Sequence, residues 1–221
     1  MFVDYSLYLV TGRGMLRDIS LYQAVEKAIK GGVALLQLRE KDAGSGEFYN
    51  IALEMKKLAN SYGVPLIIND RLDIALAVDA EGLHIGQEDL PLEVARKLLG
   101  PGKILGYSVS NVTEAVYGEK NGADYLGAGP VYHTGSKVTG IEPIGTAGLK
   151  KIKESVSIPI VGIGGIGMAN IAEVKKSGID GISVISAILA SDDIEAAAKE
   201  LKSAWNAKGV WYSKDIIWKG V

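Results

Sequence analysis

Short apolar, β-prone runs recur along the chain, at residues 7–10, 34–38, 65–68, 82–85, 104–109, 125–128, 159–163 and 181–185. Each is followed by apolar positions at helical spacing, over 21–30, 46–62, 72–78, 92–99, 111–121, 146–154, 168–177 and 194–206. The pattern predicts eight strands alternating with eight helices. Alternation of this kind calls for parallel strands joined by right-handed helical crossovers, and eight such units in 221 residues fit a single (β/α)8 TIM barrel. A doubly wound open sheet is the competing architecture. The phrases KGGVALLQLR, DAEGLHIG, KNGADYLGAG and KSGIDGISVIS repeat one plan, a helix end near glycine feeding a buried strand.

The barrel accounts for residues 1–207, and residues 208–221 break the pattern. That tail holds Trp211 and Trp218, and Trp205 lies just before it. A terminal segment packed on the barrel wall is the plain reading, with self-association into a homo-oligomer left open.

Composition narrows the chemistry. Hydrophobic residues make up 48% and charged residues 23%, an ordinary globular balance. A net charge of -2 supplies no basic field for nucleic acid and no polybasic anchor for a membrane. Cysteine is absent, which excludes thiol nucleophiles, disulfides and thiolate-bound zinc. Two histidines, His84 and His133, are too few for a histidine-rich metal site. The opening MFVDYSLYLVTG lacks the plan of a secretory signal and no apolar run reaches membrane-spanning length, so a soluble cytoplasmic protein is expected.

The stretch VGIGGIGMANIAEV places Gly162, Gly164, Gly165 and Gly167 between a strand and a helix. Glycines there suit backbone N–H groups that approach an anion, although a tight turn without a ligand has the same composition.

In a barrel the active site forms at the C-terminal ends of the strands. That rule gathers Gln37, Arg39, Lys41, Asn69, Asp70, His84, Asp89, Ser108, Thr134, Ser136, Lys137, the glycine turn and Ser186. Arg39 can grip a phosphate through two parallel N–H bonds, while Lys41 and Lys137 act as point charges. Asp70 and Asp89 are hard oxygen ligands of the kind magnesium takes when it also bridges phosphates. Ser108, Thr134, Ser136, Gly164, Gly165 and Ser186 offer hydrogen bonds without added charge. Each has a plainer role as well: Arg39 could pair with Glu40 at the surface, Asp70 or Asp89 could cap a helix, and the serines could be satisfied polar groups. No Gly-x-Ser-x-Gly elbow, hydrolase triad order or P-loop occurs. The set suits transfer chemistry in which diphosphate departs.

With these residues assembled, the sequence resembles the thiamine phosphate synthase family. The likeness rests on QLREK at 37–41, IIND at 67–70, GLHIGQEDLP at 82–91, LGYSVSN at 105–111, GADYLGAGPVYHTGSK at 122–137, PIVGIGGI at 159–166 and GISVISAI at 181–188. It implies a TIM-barrel transferase that joins an aminopyrimidine diphosphate to a thiazole phosphate with Mg2+. The resemblance puts the diphosphate on Arg39, Lys41, Asn69, Ser108, Thr134 and Lys137, and magnesium on Asp70 and Asp89. It puts the pyrimidine near Gln37 and His84, and the thiazole phosphate on Gly165, Ile185 and Ser186. The related thiazole tautomerase branch and a non-catalytic phosphate-binding barrel are the alternatives. One departure stands out: the family's loop reads Thr-x-Thr-Lys and then an acid, where this chain has Thr134-Gly135-Ser136-Lys137-Val138.

Overall fold

The computed structural model describes residues 3–16, 18–135 and 142–207. Ser136, Lys137 and the tail at 208–221 therefore lie outside the described residues.

The strands are β1 (Leu7–Val10), β2 (Leu35–Leu38), β3 (Leu66–Asn69), β4 (Gly82–Ile85), β5 (Ile104–Val109), β6 (Tyr125–Ala128), β7 (Ile160–Ile163) and β8 (Gly181–Val184). Each pairs in parallel with the next, and β8 returns to β1 with Leu7 opposite Ile182 and Tyr8 opposite Ser183. That closure decides for the barrel over the open sheet. The helices are α1 (Leu21–Lys30), α2 (Ser45–Ser61), α3 (Leu72–Ala77), α4 (Leu92–Leu99), α5 (Val112–Lys120), α6 (Gly145–Lys153), α7 (Ile171–Lys175), α8 (Ser186–Leu189) and α9 (Ile194–Asn206). None is long and apolar enough to cross a membrane.

Side-chain alternation explains the layers. Leu7, Leu9, Leu36, Leu38, Ile68, Leu83, Leu105 and Leu126 point outward into the shell shared with the helices. Tyr8, Leu35, Ile67, Ile104, Tyr125 and Val161 fill the barrel, with Val3 and Tyr5 closing its N-terminal end. The next inward positions toward the other end are Gln37, Asn69, His84 and Ser108. The interior thus passes from apolar to polar toward the strands' C-terminal mouth.

The repeated phrases have a structural job at the opposite end. Glu81, Asp124 and Asp180 stand one residue before β4, β6 and β8, and each carboxylate accepts an N–H from the first two residues of the preceding strand. Leu66 N donates to Glu81 Oε2 at 2.9 Å, Leu105 N to Asp124 Oδ2 at 2.7 Å, and Ile160 N to Asp180 Oδ2 at 2.8 Å. Lys56, Arg96 and Lys153 pair with these three acids in turn. Ala34 takes the equivalent place before β2, so that phrase lacks the device.

Two features differ from the sequence expectation. α7 starts at Ile171 rather than residue 168 because Asn170 folds back on the glycines. Its Nδ2 donates to the Gly165 carbonyl and its Oδ1 accepts from Gly167 N, both at 2.9 Å, which holds 165–170 as a turn. In addition, a 3-10 turn at Arg13–Met15 and the one-turn α8 follow β1 and β8, too short to show periodicity in sequence.

Candidate active site

Five side chains form a continuous hydrogen-bonded chain across the inside of the barrel. Gln37 Nε2 donates to Tyr8 Oη at 2.7 Å, and the hydroxyls of Tyr8 and Tyr125 lie 2.7 Å apart. Tyr125 Oη meets His84 Nδ1 at 2.8 Å, and His84 Nε2 meets Ser108 Oγ at 2.9 Å. Space for this chain is made by glycine. A Cβ on Gly106 would lie 2.2 Å from Tyr125 Cζ and 2.4 Å from His84 Nδ1, and one on Gly127 would lie 3.0 Å from His84 Cε1. Burial raises both tyrosine hydroxyls above their ordinary value, further supported at Tyr125 by Tyr8, so both keep their protons at neutral pH.

At the rim, buried Thr11 fixes the end of β2, accepting from Arg39 N at 2.9 Å through Oγ1. The half-buried Arg39 guanidinium and the exposed Lys41 ammonium form no ion pair with any described residue. The surface pairing of Arg39 with Glu40 is not what forms: Glu40 is buried and takes Arg13 Nε at 2.6 Å. Glu40's other oxygen has no hydrogen-bond partner, and burial raises its pKa against the opposing pull of Arg13. Gln87 ties the loop after β4 to strand β5, donating to the Ser108 carbonyl and accepting from the Tyr107 hydroxyl.

Asp70 and Asp89 meet on the same rim. Neither caps a helix: the cap positions of α3 and α4 are Arg71 and Pro91, and no side chain caps either. Asp89 Oδ2 instead accepts from Gly86 N at 2.7 Å. Asp70 sits in the left-handed region, with φ 63, a sparsely used conformation for a non-glycine residue that here turns its carboxyl toward Asp89. Burial, then the charge of Asp89 and a hydrogen bond to it, push the Asp70 pKa up to about 6, against the Lys41 charge and a hydrogen bond with Asn69. Two crowded, half-buried carboxylates are short of a cation. Among the described residues no group of three or more His, Asp or Glu side chains forms a closed cage. The donor set fits magnesium, which binds few protein carboxylates and keeps positions for water and phosphate oxygens.

Gly164 and Gly165 have φ 101 and 65, and a Cβ on either would strike the loop after β6. The distances would be 2.8 Å to Pro130 Cα and 2.7 Å to the His133 carbonyl oxygen. Val131 N and Tyr132 N donate to the carbonyls of Ile163 and Gly164, so the turn and that loop are one packed unit. Gly167 lies beside Ala187 of α8, and no side chain caps the α8 start, where Ile185 and Ser186 stand. Thr134 is described and half-buried in the loop after β6. The expectations for Ser136 and Lys137 lie outside the described residues.

A family model described as "Thiamine monophosphate synthase" matches residues 7–188. The chain belongs to the thiamine monophosphate synthase family. A thiamine-phosphate synthase from Desulfitobacterium hafniense (strain Y51) is 60% identical over 205 residues, covering 93% of this chain and 99% of that protein. One from Clostridium novyi (strain NT) is 54% identical over 201 residues, covering 91% and 98%. The solved structure of a thiamine phosphate pyrophosphorylase from Pyrococcus furiosus superposes with a TM-score of 0.83 at 42% identity, covering 91% of this chain and 96% of that one. As a thiamine monophosphate synthase family member, the chain is an enzyme of thiamine phosphate synthesis.

Sequence reading missed Tyr8, Tyr125, Thr11 and Arg13 in this family site. Part of the signal for the tyrosines was present: each is a polar-tipped residue on the inward parity of its strand, and Tyr125 lies beside the inward Gly106. Ser183, also inward on β8, is buried with its hydroxyl unpartnered.

Proposed function

We propose that this enzyme joins an aminopyrimidine-methyl diphosphate to a thiazole phosphate, giving thiamine phosphate and diphosphate. The observation that carries the reading is the rim itself: Arg39 and Lys41 form no ion pair with a described residue, Arg39 and Asp70 follow neighbouring strands, and the Lys41 charge reaches Asp70, which is crowded by Asp89. Such an arrangement supports an anion and a cation bound together. A tautomerase acting on the thiazole alone has no diphosphate to hold and no use for this set.

Arg39, Lys41, Asn69, Ser108 and Thr134 grip the diphosphate, with Lys137 completing the set, and Gln37 offers donor and acceptor to the aminopyrimidine above His84. Asp70 and Asp89 hold Mg2+, which when bound neutralises charge gathering on the leaving oxygens. The bond between the pyrimidine methylene and the diphosphate oxygen breaks first, and its electron pair leaves with diphosphate. The ring amino group stabilises the resulting cation, and the thiazole nitrogen lone pair then forms the new C–N bond. Gly164, Gly165, Ile185 and Ser186 hold the thiazole phosphate during that step. No protein base or nucleophile takes part. At 4 Å and an effective dielectric of about 20, one unit-charge contact is about 4 kcal/mol before desolvation, so a few contacts on the leaving group carry much of the rate.

Incubation of the protein with both substrates and magnesium is expected to yield thiamine phosphate and diphosphate in equal amounts. Turnover that persists in excess chelator would overturn the metal assignment, and absence of product under all conditions would overturn the transferase reading.

A further inference from the structure

Proton counting gives the interior chain a direction. Gln37 Nε2 donates to Tyr8 Oη, so Tyr8 passes its own hydrogen onward, and the acceptor it meets is Tyr125 Oη. Tyr125 then donates to His84 Nδ1, which leaves the ring hydrogen on Nε2 and directed at Ser108 Oγ. Ser108 accepts from the ring and retains a hydrogen to give elsewhere. The opposite direction would set the Tyr8 O–H against the Gln37 N–H, two donors facing each other in a buried site.

We propose that Tyr8 and Tyr125 are positioning residues that hold His84 as the Nε2–H tautomer and so turn the Ser108 hydroxyl hydrogen toward the anion at the barrel mouth. The nature of that anion rests on the transferase reading, but the direction of the chain does not. Tyr8 is 2% exposed and Tyr125 0%, on β1 and β6, and neither reaches the rim itself. Gly106 and Gly127 lack side chains where a methyl would break the histidine–tyrosine contact, which marks the space as reserved for it. Both phenols stay protonated at neutral pH, so the chain carries aligned dipoles without net charge.

The test is 15N NMR of the substrate-free protein carrying His133→Asn, which leaves His84 as its single histidine. The Nε2–H tautomer is expected; Nδ1–H overturns the proposal. Gln37→Glu replaces the first donor by an acceptor, and the whole chain should reverse, converting His84 to Nδ1–H; retention of Nε2–H overturns it. Calorimetry with inorganic diphosphate and magnesium supplies a second readout. Tyr125→Phe and Ser108→Ala should each weaken binding about tenfold, the scale of one hydrogen bond to a charged group. The double variant should be no weaker than either alone, because both act through one hydrogen; additive losses would make Tyr125 merely structural. A negative transferase assay leaves the tautomer measurement intact, so the two readings fail separately.

Discussion

Arg39 is held by its backbone and free at its head: Thr11 pins its N–H, and its guanidinium has no acidic partner among the described residues. Arg39→Ala should therefore lower kcat/KM by on the order of 100-fold or more while moving the melting temperature little, since a rim side chain contributes little to the core. Steady-state kinetics beside a thermal melt checks both. Asp70 makes a pH-dependent prediction. Its folded value of about 6 lies above the unfolded value near 3.9. Its contribution to metal-free stability is accordingly complete below about pH 4 and lost as pH rises through about 6. Asp70→Asn should stabilise the fold at pH 7.5 by on the order of 1 kcal/mol once solvent screening is allowed for, seen as a higher melting temperature, and leave it unchanged at pH 4. Magnesium should stabilise the parent at pH 7.5 and not the variant. Arg39 and Asp70 were legible because each sits one position past a strand end. The bond between Tyr8 and Tyr125 was not, because a contact across 117 positions leaves no local trace, even though each residue's inward parity was readable.

Secondary-structure elements were read well wherever periodicity had room to show itself. β4, β5, β6 and the α1, α4 and α9 helices have the bounds that apolar spacing gives. α8 has four residues and completes one turn, too little for a period, and α7 was shortened by a side chain, Asn170, whose capping of a glycine turn is a three-dimensional event. Glycine is where element and site meet. Gly106→Ala should cost roughly 2 kcal/mol or more, because its methyl would overlap Tyr125 and His84 in a packed interior. Urea denaturation measures the loss. Gly46→Ala is the control, since a methyl at this exposed position of α2 meets nothing within 4 Å and should slightly stabilise the helix.

The molecule divides its labour between the two ends of the barrel. Strand closure was readable from the number of repeating units, whereas the acid that precedes β4, β6 and β8 was visible as a letter and not as a bond. Asp124→Ala removes the acceptor of Leu105 N and the partner of Arg96, and should destabilise the fold by about 1–3 kcal/mol with kcat unchanged. Chemical denaturation and kinetics on one preparation would separate the two effects. At the mouth, Gly164 and Gly165 pack directly against residues 130–133. Loops that leave no clearance between them travel together. A substitution that displaces the Gly164–Gly165 turn must therefore push residues 130–133 with it.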